Sequence, residues 1–255
     1  MHAPLSAVVI TRNEAGRIRA CLDGLAFADE IVVVDSGSSD DTVAIARAAG
    51  ARVIAQDWLG YGAQKQFAVG QAAHDWVFCV DADEQPTSEL RAEIEAVLRA
   101  PACMAYDHPR RNRFMGRYLR HGEGYPDRSL RLFHRGHARW STDPIHEKVV
   151  VDAGVAVGHL SGDLLHHSEE GVDQYLDKQD RYTTLQAQQM LAAGKRAGLA
   201  KMLLSPLLRF VKFYFVRLGF LDGWPGLVHI LIGCRNSYRK YGKLRRLRAG
   251  GRAAR

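Results

Sequence analysis

Three clusters of polar residues carry chemistry in this chain, and each follows directly on an apolar run. The strongest is Phe78-Cys79-Val80-Asp81-Ala82-Asp83-Glu84, with two carboxylates one residue apart behind a β-rich stretch. Along an extended backbone, residues two apart turn to the same side. Asp81 and Asp83 can therefore present hard oxygen ligands to Mg2+ or Mn2+ over a diphosphate. The second cluster is Val32-Val33-Val34-Asp35-Ser36-Gly37-Ser38. Here an acid at a strand end can accept hydrogen bonds from a nucleoside, and the small residues permit close backbone approach. The third is Thr11-Arg12-Asn13-Glu14. Each has a plain structural reading, because Asp, Asn and Ser also favour turns and helix N-termini. Their coincidence says more, since polar clusters at three strand ends of one sheet would face one crevice.

The elements that must hold these clusters alternate between strand and helix. Residues 5–10, 31–34, 52–55 and 76–80 read as short apolar strands, and 31–34 is apolar throughout, as in strands buried on both faces of a parallel sheet. Asn13 can cap a helix carrying Ile18, Leu22 and Leu25, and Ser38 or Ser39 can cap the next. Residues 62–73 read as helical, and Pro86 starts a helix through Leu90, Ile94 and Leu98. Repeated β-α-β units predict an α/β fold with a Rossmann-like, open and mostly parallel sheet, whose ligands bind beyond the carboxyl ends of its strands. From residue 104 to about 158 the pattern changes to short strands and loops rich in Arg, His and Gly, and 169–193 reads as a helix.

The 255 residues are 47% hydrophobic and 25% charged, which excludes a collagenous, low-complexity or disordered chain. The net charge of +7 is a sum of unlike parts: −7 over residues 1–103, +6 over 104–140, −4 over 141–200 and +12 over 201–255. Such asymmetry predicts a membrane surface or polyanion met by one part of the molecule. Cys21, Cys79, Cys103 and Cys234 lie far apart with no C-x-x-C pair, arguing against a disulfide framework or thiolate zinc site and for a reducing cytosol. No signal peptide is expected, and no apolar stretch reaches the roughly 18–20 residues of a spanning helix. After Ala200 the composition shifts. Residues 203–218 interleave Arg209, Lys212 and Arg217 with an aromatic-rich apolar surface, which suits a bilayer interface. Nine basic residues from Arg235 onward would be drawn to anionic lipid. A catalytic domain over 1–200 and a basic, amphipathic helical extension over 201–255 are therefore expected.

Taken together, Val8-Val9-Ile10-Thr11-Arg12-Asn13-Glu14, the Val33-Val34-Asp35-Ser36-Gly37-Ser38-Ser39-Asp40-Asp41-Thr42 run and Asp81-Ala82-Asp83-Glu84 resemble a family 2 inverting glycosyltransferase of the GT-A fold. More narrowly, the chain resembles the WaaE/KdtX-type lipopolysaccharide core β-1,4-glucosyltransferases. That match rests on Tyr125-Pro126-Asp127 ahead of Leu130-Arg131-Leu132-Phe133, on Ile145-His146-Glu147 and Leu164-Leu165-His166, and on Gly219-Phe220-Leu221-Asp222-Gly223. The resemblance implies that Asp35 contacts the nucleotide base, Asp81 the ribose or diphosphate, and Asp83 a Mg2+ or Mn2+ ion. It places Thr11, Asn13 and Glu14 in the nucleotide site and Lys65 on the phosphates. His166 would complete the metal site, with the adjacent His167 as competitor.

An inverting transfer also needs a base for the acceptor hydroxyl. Glu147 is the first choice and Asp127 the second. The implied donor is a UDP-sugar, with UDP-glucose the simplest case, and the implied acceptor a phosphorylated glycolipid. That acceptor would meet the arginines of 104–140, namely Arg110, Arg111, Arg113, Arg117, Arg120, Arg128, Arg135 and Arg139, with Arg131 better suited to a packed ion pair. The same arginines interleave with Phe114, Tyr118 and Tyr125 in a way that suits RNA, but beside a D-x-D crevice no nucleic-acid partner is expected. A nucleotidyltransferase would also use an acidic metal site. It would bring a Gly-rich basic phosphate loop, which the Thr11–Gly16 turn lacks. The implied location is the cytoplasm, peripheral on the inner face of a bacterial inner membrane, at an anionic membrane surface.

Overall fold

A computed structural model describes residues 2–141, 147–167 and 171–253. The chain forms two compact units, one of Met1–Arg110 with Asp127–His167, the other of Arg111–Pro126 with Ser168–Arg255. The first begins as read from the sequence. Strands β1 (Leu5–Thr11), β2 (Glu30–Asp35), β3 (Arg52–Ala55) and β4 (Trp76–Asp81) alternate with helices α1 (Ile18–Gly24), α2 (Thr42–Ala48) and α3 (Tyr61–Gln71). The four strands are parallel and lie in the order β3-β2-β1-β4.

Alternation along these strands feeds two apolar layers. Leu5, Ala7, Val9, Val33, Phe78 and Val80 face one cluster with Ile18 and Leu22 of α1. Val8, Val32, Val34, Val77 and Cys79 face the other, under Ala68 and Val69 of α3. Because both faces are covered, the strands read as unbroken apolar runs. Thr11 pairs with Asp35 and Ile10 with Asp81, so the three polar clusters leave the sheet side by side at its carboxyl edge.

The chain continues through β5 (Glu84–Pro86), α4 (Ser88–Arg99), β6 (Ala105–Phe114), β7 (Arg117–Tyr118), β8 (Asp127–His134), β9 (Ala138–Trp140), β10 (Val149–Val151), β11 (Val157–His159) and β12 (Leu164–His166). Pro86 closes β5 and does not start α4, whose cap is Thr87, its hydroxyl accepting the Leu90 N–H at 3.3 Å. β8 runs antiparallel to β4 and β6, and β12 antiparallel to β5. After α4, no helix intervenes between β6 and β12 among the described residues, and antiparallel neighbours such as β6 and β8 need none.

In the second unit, α5 (Val172–Ala192) and α6 (Leu199–Phe210) precede a π-helical turn over Val211–Val216, a 3-10 turn over Gly219–Asp222 and α7 (Gly223–Ala253). Phe114, Leu119 and Ile232 form its apolar centre with Tyr175 and Val228. Buried Asp222 accepts the N–H groups of Arg120 and His121 at 2.9 and 2.7 Å, so the Gly219–Gly223 motif serves to hold the segment after β7. The division at His167 precedes the boundary expected near residue 200, because α5 belongs with α7: Lys243 donates to Asp180, Thr183 and Thr184, and Asn236 to Gln179. No helix of the described residues is long and apolar enough to cross a membrane. Leu203, Leu204, Leu207 and Leu208 of α6 are nonetheless more than half exposed, as are Phe215, Val216 and Trp224.

Candidate active site

The loops after β1 and β2 are laced to each other. The Asp35 carboxylate accepts the N–H groups of Gly37 and Ser38 at 3.0 and 2.9 Å, and the Ser38 hydroxyl also donates to it. Gly37 sits at φ +82°, where a side chain would be strained. Asn13, at φ +56°, uses the left-handed conformation that Asn tolerates. Its side-chain oxygen accepts the Ser39 N–H, and its own N–H donates to the Ser38 hydroxyl, both at 2.8 Å. The Glu14 N–H donates to the Thr42 hydroxyl at 2.7 Å. Asn13, Ser38 and Ser39 were expected as helix caps. They cap nothing: α1 and α2 begin at Ile18 and Thr42 without a side-chain cap, and the three residues cross-link the loops. The Glu14 carboxylate is held by Arg17 at 2.7 Å; burial raises its pKa, against the pull of Arg17. Buried Gln64, which sequence reading passed over, donates to the Ser36 hydroxyl and the Gln56 carbonyl, fastening the exits of β2 and β3.

Asp81 stands between two buried cations. Lys65 Nζ of α3 lies 3.1 Å from one carboxylate oxygen, and a terminal nitrogen of Arg131 on β8 lies 3.0 Å from the other. Both cations rest over the Trp140 ring, 4.8 and 5.3 Å from its centroid. Trp140 donates its indole N–H to Cys79 Sγ at 3.4 Å. Burial alone would push the Asp81 carboxyl up, but Arg131 and Lys65 outweigh it and hold the group well below the usual carboxylate range. Arg131 is thus an ion-pair residue, as its setting in the sequence suggested. Trp140 gave no such signal, because only the sheet brings β9 under α3.

The pairing of β12 with β5 sets His166 opposite Glu84, and His166 Nε2 lies 3.2 Å from Asp83 Oδ2. His167 contributes its backbone N–H to the Asp83 carbonyl at 2.8 Å. Burial would raise the Asp83 carboxyl pKa, and the hydrogen bond and charge of His166 more than offset it. Among the described residues, no three His, Cys, Asp or Glu side chains form a metal cage. A carboxylate oxygen beside an imidazole nitrogen nevertheless fits a divalent cation that takes its other ligands from phosphate and water, the usual habit of Mg2+.

Glu147 joins this group through Lys65, whose ammonium lies 3.8 Å from Glu147 Oε1. Gly62 of α3 permits the approach: a Cβ there would fall 2.2 Å from the Ser141 carbonyl and 3.3 Å from Glu147 Cβ. Ile145 and His146 of the same motif lie outside the described residues. Asp127, half exposed at the start of β8, is 3.8 Å from Arg110. Much of the expected arginine patch is consumed locally. In the first unit Arg110 and Arg131 pair with Glu84, Arg128 with Asp107, Arg135 with Asp75 and Arg139 with Asp152. Arg111, Arg113, Arg117 and Arg120 belong to the second unit.

The family model described as "Glycosyl transferase family 2" matches residues 6–157. The lipopolysaccharide core biosynthesis glycosyltransferase LpsC of Rhizobium meliloti (strain 1021) is 32% identical over 252 residues, which cover 93% of this chain and 93% of that protein. An uncharacterized glycosyltransferase of Rickettsia typhi is 30% identical over 254 residues, covering 95% of this chain and 87% of its own length. Among solved structures, glucosyl-3-phosphoglycerate synthase from Mycobacterium tuberculosis, crystallised with phosphoglyceric acid, superposes with a TM-score of 0.50 at 17% identity, covering 77% of this chain and 82% of that one. The shared architecture is the GT-A fold.

Proposed function

This chain belongs to glycosyl transferase family 2, and from that premise we propose that it transfers a hexose from a UDP-sugar, with UDP-glucose the first candidate, to a lipid-linked bacterial saccharide with inversion at the anomeric carbon. The observation that carries the proposal is the common edge of β1, β2 and β4. There Thr11, Asp35 and Asp81 stand side by side, with Lys65 and Arg131 against Asp81 and His166 against Asp83. LpsC is by name a lipopolysaccharide core enzyme, which supports the same class of acceptor here.

The roles follow from the contacts. Asp35 accepts three donors on two oxygens that offer about four lone-pair sites, leaving one for a nucleobase N–H. Lys65 sits where it can turn from Asp81 to a phosphate oxygen while stacked on Trp140. Asp83 and His166 would hold Mg2+ or Mn2+, which supplies positive charge against the departing diphosphate. Glu147 accepts the proton of the acceptor hydroxyl as that oxygen attacks, and Asp127 is the second candidate for this role. Thermal unfolding with a panel of nucleotide sugars and Mn2+ or Mg2+ tests the donor. A ligand at one hundred times its Kd adds about 2.7 kcal/mol, roughly 5–10 °C for a chain of this size. A response to no UDP- or GDP-sugar would overturn the assignment.

The acceptor's location gives the second unit a purpose. The exposed leucine face of α6, continued by Phe215, Val216 and Trp224, is flanked by exposed Lys212 and Arg217 and followed by the basic α7. Arg209 is turned to Glu123 and does not interrupt this face. On this reading the unit lies on the cytoplasmic face of the inner membrane, apolar residues among the acyl chains and basic residues at anionic headgroups. Leu204→Glu with Leu208→Glu removes two exposed anchors, each worth about 1.5–3 kcal/mol when buried. The pair should cut binding to anionic vesicles at least about tenfold with an unchanged Tm. Undiminished vesicle binding would sink the anchor.

A further inference from the structure

Glu84 closes the Asp81-Ala82-Asp83-Glu84 run with a side chain that has no exposed surface. A carboxylate in such a place is costly unless its oxygens are met by donors and charge. It is not spent as a helix cap, since Thr87 caps α4. One hydrogen-bond donor and two cations in ion-pair contact meet it. One oxygen accepts the Asp81 N–H at 3.0 Å, and the other lies 2.7 Å from Arg110 Nε and 3.5 Å from an Arg131 terminal nitrogen.

Each partner leads to a different part of the site. The Asp81 amide belongs to the residue gripped by Lys65. Arg131 presents the same terminal nitrogen to Glu84 and to the Asp81 carboxylate, which fixes both ends of the turn to one cation. Arg110 reaches from Glu84 to Asp127. The Glu84 backbone pairs with His166, in the register that brings His166 to Asp83. One buried carboxylate therefore stands at the junction of the donor turn, the Asp83–His166 pair and Asp127.

We propose that Glu84 is a positioning residue. Its carboxylate fixes the Asp81–Asp83 turn for the donor and, through Arg110, holds Asp127 in relation to that turn. It touches no substrate and moves no proton. The inference rests on the reading of Asp81 and Asp83 as donor-site residues.

Glu84→Gln separates the two functions of the side chain, keeping an oxygen for the Asp81 N–H while removing the charge that faces Arg110 and Arg131. With UDP and Mn2+ as probes in calorimetric titration, UDP affinity should fall about tenfold or more, in the range of outer-shell substitutions. Arg110→Gln takes from Glu84 its 2.7 Å charge partner and also cuts the branch to Asp127. It should weaken UDP binding less than Glu84→Gln does, because Arg131 still faces Glu84, and lower kcat about fivefold with donor bound, a turnover defect that a merely structural role would not produce. If Glu84→Gln alone does not fold, Glu84→Gln with Arg110→Met removes both charges together and is read in the same titration. A folded Glu84 variant with wild-type UDP affinity, or Arg110→Gln with wild-type kcat, overturns the proposal. Wild-type protein that binds no UDP overturns instead the donor reading beneath it.

Discussion

Replacing Glu147 by Gln is expected to lower kcat by about 10²–10⁴, the contribution typical of a positioned general base, with UDP-sugar affinity unchanged. Gln keeps the shape and an oxygen, but it cannot take the proton that the acceptor hydroxyl must lose as it attacks. The corresponding barrier is about 3–5 kcal/mol. Lys65 remains paired with Asp81 in the variant, since that contact at 3.1 Å is independent of the longer one to Glu147 at 3.8 Å. The donor site is thus preserved while turnover is lost, the pattern of an interaction needed in the transition state alone. Asp127→Asn provides the comparison. Asp127 is half exposed and meets the site through Arg110, so its loss should cost about tenfold, as for a supporting residue. The reverse ranking, with Glu147→Gln near normal and Asp127→Asn inactive, would move the base to Asp127.

The second large effect is expected at Asp83. Asp83→Asn retains the backbone acceptor for His167 and most of the volume, so the β5–β12 pairing survives. It removes the anionic oxygen that faces His166 and would hold the cation. Charge stabilisation of the leaving diphosphate by a metal is worth several kcal/mol, so kcat/KM should fall by about 10²–10³. Titration with UDP reads the same change without turnover: Mn2+ should strengthen UDP binding to wild-type protein and have little effect on the variant. An Asp83→Asn protein with full activity and wild-type Mn2+ dependence would remove Asp83 from the metal site.

Much of the catalytic fold was legible because its signals are local. An apolar run of four to six residues followed by Asp, Asn or Ser is a strand ending at a polar edge wherever it occurs. Four such runs separated by helix-length segments leave few alternatives to a parallel α/β sheet. The helix caps failed for a related reason. Asn13, Ser38 and Ser39 are capping residue types, and nothing local distinguishes a side chain that caps its own helix from one that bonds the neighbouring loop. The arginines of 104–140 illustrate the same limit for charge. Their count is visible in the sequence, whereas four of the five that pair in the first unit meet acids from outside 104–140, namely Asp75, Asp81, Glu84 and Asp152.

The +12 balance of residues 201–255 and the apolar interruption within it were likewise sequence properties, but the direction of each side chain was not. Arg209 reads as part of the interfacial charge and instead folds onto Glu123, which leaves the leucine face of α6 less broken than its composition suggests.

By itself, then, the sequence determined the parallel sheet, its polar carboxyl edge and the residues that stand there, because apolar periodicity and strand-end polarity are properties of consecutive residues. Tertiary structure decided which of those residues come into contact. The β5–β12 register brought the His166 imidazole to Asp83. The approach of α3 to Ser141 across Gly62 brought Lys65 between Asp81 and Glu147. Packing set the buried Glu84 carboxylate against two cations, Arg110 and Arg131. These are pairings between groups distant along the chain, created by the close packing of strands and helices that local pattern can call for but cannot align.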